Sequence, residues 1–343
     1  MYKTVKIEDA IGLVLGHDVT EIRKNEFKGR AFKKGHRIET ADICHFQRLG
    51  KEHIFVLEIG EDQLHENDAA ITMAKAFCGA GVGFQGEPKE GKLNLIAQRD
   101  GLLKVAVDAL TDINMLGEIM CASRHSNTLV KAGDTVAGTR AIPLTVEKAV
   151  VAEAVRIAES LDGLFEVKAI RRARTGLVIT GNEVFTRLIE DRFEEVLRAK
   201  IDRIGSTVIG VAFAPDNPSI IATEVQQLIS QGAELILTTG GMSVDPDDVT
   251  RDGIRKAGGS AEFYGAPVLP GAMFMMADIH GVPVLGIPAC GLYHHTTILD
   301  LILPRILSGE RLTRRDIAQM GHGGLCLNCS ECRFPHCPFG KTP

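Results

Sequence analysis

The run TTGGMSVDPDDVT, Thr238 to Thr250, gathers Gly240 and Gly241, the hydroxyls of Thr239, Ser243 and Thr250, and the carboxylates of Asp245, Asp247 and Asp248. Adjacent glycines remove the side chains that would keep a ligand off the backbone, so main-chain amides can approach an anion. The hydroxyls suit phosphate oxygens. Three carboxylates alone would repel a phosphate; they fit one when a divalent cation such as magnesium bridges acid and phosphate. Asp191 is a further acid that could join them. The same residues also make a plain turn, with Asp247 or Asp248 capping a helix that continues VTRDGIRKAG.

Two other stretches share this small, polar character: TGNE, Thr180 to Glu183, and GIPACG, Gly286 to Gly291. Cys290, with His294 and His295 just beyond, either contacts a ligand or metal or makes a helix-start turn with surface histidines.

The elements around these runs give them a common location. GLVIT, AELILTTGG and GVPVLGIP are short apolar strands leading into them, and STVIGVAFA is a further strand. Between the strands, NEVFTRLIEDRFEEVLRAKIDRIG sets Phe193, Val196, Leu197, Ile201 and Ile204 on one helical face. In DNPSIIATEVQQLISQG, Asn217 suits the cap, Pro218 the first helical position and Gly232 the end. HTTILDLILPRIL is a further helix. Alternating strands and helices predict an α/β fold with a mostly parallel sheet covered on both faces. Ligands of such sheets bind beyond the carboxyl ends of the strands, where all three runs fall.

A second candidate centre lies in GGLCLNCSECRFPHCPFGKTP, with Cys326, Cys329, Cys332 and Cys337 separated by two, two and four residues. Thiols this close would pair only in strained disulfides. Tetrahedral zinc sites usually join two separated Cys-x2-Cys knuckles, whereas here the short gaps are consecutive. That spacing is nearer the bacterial ferredoxin pattern, with one extra residue before the last cysteine. Metal binding is expected, with an iron–sulfur cluster or zinc both open; His336 or His322 could replace a thiol on zinc. The scattered Cys44, Cys78 and Cys121 read as small buried hydrophobes.

Bulk properties bound the remaining choices. At 343 residues the chain is too long for one ordinary core, and 45% hydrophobic with 24% charged residues is a globular composition. A net charge of −5 and a pI near 6.1 give no global attraction to nucleic acid or anionic lipid. Charges throughout MYKTVKIEDAIGLVLG argue against a signal peptide. No apolar run approaches the roughly 18 residues of a membrane span. A cytoplasmic protein without nucleic-acid or membrane partners is expected.

Four segments are expected. Residues 1–75 form an N-terminal mixed α/β unit, with a helix from near Ala41 capped by Thr40 and then the strand HIFVLEI. Residues 76–170 form a β-rich middle domain, opened by a glycine-rich loop and closed by a helix over 145–160 with Thr145 as its cap. Residues 171–310 hold the strand–helix repeats, and 311–343 the cysteine-rich metal-binding tail.

TGNEV, TTGGMSVDPDDVT, YGAPVLPGAM and VPVLGIPACG, in this order, carry a resemblance. Residues 171–310 resemble the molybdopterin-binding domain shared by the molybdopterin molybdotransferase and molybdopterin adenylyltransferase families, and AIGLVLGHDVT is similar to the start of the molybdotransferases. The resemblance implies a three-layer domain with molybdopterin or its adenylated form as ligand or substrate. It also implies magnesium, molybdate and a homo-oligomer. Carried over by position, it implies cofactor binding by Thr180, Gly181, Asn182, Glu183, Gly240, Gly241, Ser243, Thr250, Pro270, Gly271 and Pro288, beside which the hydroxyl of Thr239 and the carboxylate of Asp247 in the same run are candidate contacts. Asp248 and Asp191 inherit the roles of catalytic acids and magnesium ligands.

The sequence also departs from the family pattern. Asn182 replaces a carboxylate, Asp245 a glycine, and LPGAM around Pro270 lacks two lysines that would meet phosphate. Two functions remain open. One is magnesium-dependent insertion of molybdate into adenylated molybdopterin. The other is non-catalytic binding, delivery or sensing of molybdenum cofactor, with the tail contacting a molybdoenzyme or cofactor-assembly partner.

Overall fold

The computed structural model describes residues 2–23, 27–57, 59–242, 245–246 and 248–341, so Ser243 and Asp247 lie outside the described residues. The chain divides into two compact units. One comprises Met1–Gln98, Ala106–Ser123 and Gly133–Glu166; the other comprises Arg99–Val105, Arg124–Ala132 and Val167–Pro343. The strand–helix repeats and the cysteine-rich tail both belong to the second.

In the first unit, a three-stranded antiparallel sheet of order Tyr2–Lys6, His53–Leu57, Val14–Leu15 packs Ile54 and Val56 with Phe46 of the Thr40–Arg48 helix. Glu39, not Thr40, caps that helix: the Asp42 carboxylate accepts from Glu39 N at 2.9 Å in a reciprocal capping box. The Glu66–Phe77 helix, absent from the sequence expectation, buries Ala69, Ala70, Met73, Ala74 and Phe77. A four-stranded antiparallel sheet runs Ile119–Ser123, Thr135–Ala141, Lys92–Ala97, Val82–Phe84. Thr145 begins a short strand, Thr145–Glu147, and the helix follows as Lys148–Glu159, so Thr145 is not its cap.

Cysteine burial is uneven. Burial pushes the Cys121 thiol up to about 12 and the half-buried Cys78 up to about 11. Cys44, expected inside, is exposed.

The second unit is built on a six-stranded sheet of order Thr207–Ala214, Arg174–Thr180, Leu235–Thr239, Val282–Ile287, Met275–Ile279, Ser260–Tyr264. The first four strands are parallel and the last two antiparallel. Successive side chains point to opposite faces. Leu177, Leu237 and Leu285 therefore join one core with Leu197, Ile201 and Ile302. Val178, Ile236 and Val284 join another with Ile221, Val225 and Ile254. Burial on both faces accounts for the unbroken apolar runs in these strands.

Local signals set several of the helix starts. Asn217 caps the Pro218–Ser230 helix, accepting from Ser219 N at 2.9 Å and Ile220 N at 3.3 Å. The helix expected over 182–205 is interrupted. Asn182–Phe185 is one short turn and Phe193–Arg203 a separate helix, with Arg187 at φ +60° between them. The Phe193–Arg203 helix is tied to the Ile298–Leu307 helix by the buried Asp300. Its carboxylate accepts from Lys200 Nζ at 2.7 Å, Arg203 at 2.9 Å and Thr297 N at 2.8 Å. Among the described residues no helix is long and apolar enough to cross a membrane.

Candidate functional site

Arg174–Thr180 has the next strand of the chain on one side and Leu235–Thr239 on the other. The strand order thus reverses at this point, and in open α/β sheets the crevice beyond such a reversal takes the ligand. The glycine-rich run leaves the sheet there.

Its backbone folds back onto the strand ends. Gly240 and Gly241 have φ of +75° and +54°. A Cβ on Gly240 would lie 2.5 Å from Thr180 O, and one on Gly241 2.4 Å from Thr250 Oγ1. Both positions therefore require glycine, for conformation and for space. The Thr180 hydroxyl donates to Thr239 O at 2.6 Å and lies 2.9 Å from Thr250 Oγ1. Thr250 N donates to Gly241 O at 3.3 Å.

These contacts correct the sequence expectation for the hydroxyls. Thr239 and Thr250 were candidates to meet phosphate oxygens, but both are buried, as is Thr180. The Thr180 and Thr250 hydroxyls pair with each other and with the loop's own backbone, as buried polar groups must. The Thr239 hydroxyl finds no partner among the described residues.

Two further anchors fix the run. Tyr264 donates its hydroxyl to Met242 O at 2.7 Å, and the Arg251 guanidinium lies 4.2 Å from the Tyr264 ring centre. Asp248 accepts from Asp245 N at 2.9 Å while its own amide donates to Asp245 O at 3.0 Å. Asp248 thus closes a turn; the next helix, Thr250–Lys256, starts after Val249 without a side-chain cap.

A cavity of about 580 Å³ opens beside the loop, a volume suited to a small molecule. Gly240, Gly241 and Asp248 form one part of its wall, Pro270 and Gly271 another, and Pro288 with Cys290 a third. His294 lines it, while His295 lies on a neighbouring cavity. Burial pushes the Cys290 thiol up. Among the described lining residues Asp248 is the single acid, and none is lysine or arginine.

The remaining predicted residues lie elsewhere. Thr180, Gly181, Asn182 and Glu183 are not in this wall. Asn182 instead pairs with Asp216: its amide donates to Asp216 Oδ2 at 2.9 Å, and Asp216 N donates to Asn182 Oδ1 at 3.1 Å. Asp191 lines a separate cavity with Val184, Leu188 and Phe213. Its carboxylate accepts from Phe193 N at 3.0 Å and Glu194 N at 2.9 Å, so it serves the start of that helix. The structure does not bring Asp191 to Asp248.

The cysteine-rich tail forms a wall that the sequence did not announce. Leu325, Cys326 and Asn328 line the 580 Å³ cavity. They are held there by backbone pairing, with Leu269 N donating to Gly324 O at 2.8 Å and Cys326 N to Leu269 O at 2.8 Å. All four tail thiols line an adjoining cavity of about 260 Å³. Among the described residues, no three His, Cys, Asp or Glu side chains are grouped so as to hold a metal ion.

Residues 176–308 match the family described as "Probable molybdopterin binding domain", and residues 4–58 match a domain of unknown function (DUF8806). The chain is 29% identical over 136 residues to a molybdopterin molybdenumtransferase of Synechococcus elongatus, covering 37% of this chain and 34% of that protein. It is 33% identical over 78 residues to a CinA-like protein of Mycobacterium tuberculosis, covering 23% of this chain and 18% of that protein. The chain thus spans about a third or less of these relatives' lengths.

Solved structures give weaker likenesses. The molybdopterin biosynthesis enzyme MoaB of Thermus thermophilus is 17% identical with a TM-score of 0.32, covering 40% of this chain and 98% of that one. The molybdopterin biosynthesis MoeA protein of Pyrococcus horikoshii is 12% identical with a TM-score of 0.34, covering 90% and 75%.

Proposed function

We propose that the second unit binds molybdopterin, or its adenylated form, in the 580 Å³ cavity at the reversal of strand order, as a step of molybdenum-cofactor biosynthesis. The observation that carries this reading is the convergence of Gly240–Gly241, Asp248, Pro270–Gly271 and Pro288 on one cavity within the segment that matches the family. The paired glycines present backbone without side chains to a phosphate, and Pro270–Gly271 and Pro288 bound the space for the pterin.

Magnesium suits this wall. A lone carboxylate, Asp248, together with ligand phosphate oxygens and water is an ordinary donor set for that ion. With no lysine or arginine among the described lining residues, the ion would supply the positive charge a bound phosphate needs. Asp248 would hold and orient the phosphate through it. The favoured activity is molybdotransferase-like: water cleaves the phosphoanhydride and AMP leaves, while molybdate takes up the two dithiolene sulfurs, with one oxo group and the two thiol protons leaving as water. The four tail thiols would hold zinc or an iron–sulfur cluster.

A non-catalytic carrier is the second reading. It is favoured by Asn182, which stands where the resembling families have a carboxylate and is engaged with Asp216. One experiment separates the two: purified protein is incubated anaerobically with adenylated molybdopterin, molybdate and magnesium, and both binding and cleavage are followed. Cleavage by wild type that requires magnesium and is lost in Asp248→Asn supports the enzyme. Tight binding with no cleavage supports the carrier, and absence of binding rejects both.

A further inference from the structure

We infer that the cysteine-rich loop is a metal-stapled wall of the pterin cavity, so that loading a thiophilic metal on its thiols raises that cavity's affinity. This rests on the proposed pterin reading and adds a regulator to the same site.

The loop is closed at its base, and above it residues packed on the core alternate with exposed ones. Gly340 N donates to Gly323 O at 2.9 Å, and a Cβ on Gly323 would lie 2.3 Å from Lys341 O, so the two ends are locked together. Between them the chain makes no helix, and its one strand-like contact is the bridge from Leu325 to Leu269. Phe339 is part of the core and meets Phe334 edge-on, and Phe334, Cys326 and Cys337 pack partly buried against that core, while Leu325 and Leu327 are 61% and 68% exposed. A segment without helix or sheet of its own gains order when a metal cross-links its side chains.

The thiols are placed to supply that cross-link. Cys326, Cys329, Cys332 and Cys337 line one 260 Å³ cavity, and Cys332 Sγ lies 3.4 Å from Thr296 Oγ1. They share the cavity without being gathered into a metal-holding group. Closing them on one metal would tie Cys326, Cys329, Cys332 and Cys337 together and so fix the backbone that carries them. That backbone also belongs to the neighbouring cavity: Leu325, Cys326 and Asn328 line both. It is hydrogen-bonded to Leu269, the residue before Pro270 and Gly271 of the pterin wall. Metal loading and the shape of the pterin cavity thus meet in one short run of backbone.

Cys329 and Cys332 line the thiol cavity and not the pterin cavity, so their replacement tests the coupling without removing a pterin contact. Full-length wild type, chelator-stripped wild type and the Cys329→Ser/Cys332→Ser variant are prepared anaerobically. Each is assayed for zinc, iron and sulfide, for binding of molybdopterin released from a molybdoenzyme, and for hydrogen exchange at the Leu269 amide. Wild type should hold metal. The stripped and variant proteins should bind pterin about tenfold more weakly, as expected if the competent wall is formed only about a tenth of the time. Their Leu269 amide should also exchange faster, because its acceptor is Gly324 O.

Metal-free proteins that bind pterin as wild type does, with Leu269 protection unchanged, would overturn the coupling while leaving the pterin reading intact. Wild type that holds no zinc or iron overturns it too. If no form binds pterin, the proposed function fails by itself, and Leu269 exchange still decides whether metal governs the wall. Asp248→Asn should keep its full metal content.

Discussion

Thr180 Oγ1 lies 2.9 Å from Thr250 Oγ1, joining the end of one parallel strand to the helix that follows the glycine-rich run. Both hydroxyls are buried, and Thr180 donates on to Thr239 O. Their pairing holds Gly240 and Gly241 at the cavity wall. Thr250→Val removes one partner of a buried pair and should cost about 1–2 kcal/mol of stability, read from urea unfolding. Pterin affinity should fall with it. Unchanged stability would show that the pairing does not hold the loop.

The glycines are required by the same geometry. Gly240→Ala places a methyl 2.5 Å from Thr180 O at a φ of +75°. It should lower stability by more than the roughly 1 kcal/mol typical of an incompatible backbone change. Gly258→Ala is the control, because φ there is +98° but nothing lies within 4 Å of the added carbon. The two variants share the conformational cost, so a larger loss at position 240 measures the steric contact.

The ion-paired Asp300 gives a test remote from the cavity wall. It is buried beside Lys200 and Arg203 and also accepts from Thr297 N. Asp300→Ala leaves Lys200 without its carboxylate partner and should destabilise by about 3–5 kcal/mol. A loss within the range of an exposed pair would mean that Lys200 finds water or another acceptor.

Acid should weaken the second unit through Glu310 and Asp316. Burial raises the Glu310 carboxyl, but Lys104 and Arg305 together outweigh it and hold the group below its ordinary 4.5. Asp316 is likewise raised by burial, while Thr313 and Arg305 bring it below its ordinary 3.8. A depressed folded-state pKa gives stability that is present above the unfolded value and lost as pH falls through the folded one. Unfolding free energy should therefore decline as pH drops below 4.5, and Glu310→Gln should flatten that decline. A profile unaffected by the substitution would contradict the assignment.

Much of this architecture can be read from local residues. Asn217 and Pro218 mark a helix start, and the runs LVIT and LILTT mark strands buried on both faces. The location of the cavity follows from the strands' order, since TTGGMSVDPDDVT trails one of them. Longer-range facts left no such trace. NEVFTRLIEDRF reads as continuous helix, and neither the break at Arg187 nor the bonds of Asp191 to the amides of the next helix was legible in that pattern. The hydroxyls of Thr180 and Thr250 look alike whether they face ligand or protein, and only their 2.9 Å approach distinguishes the two. The tail's role as a wall rests on Leu269 pairing with Gly324 and Cys326, more than fifty residues away in sequence.

The most direct test of the pterin cavity is equilibrium binding of molybdopterin, under anaerobic conditions, to wild type and to Ala289→Trp. Ala289 is exposed and lines the cavity, so the indole fills the space without disturbing the core. Wild type should bind one pterin per chain, and the variant should unfold at the wild-type temperature but bind none. Equal binding by both proteins, or no binding by wild type, would contradict the account.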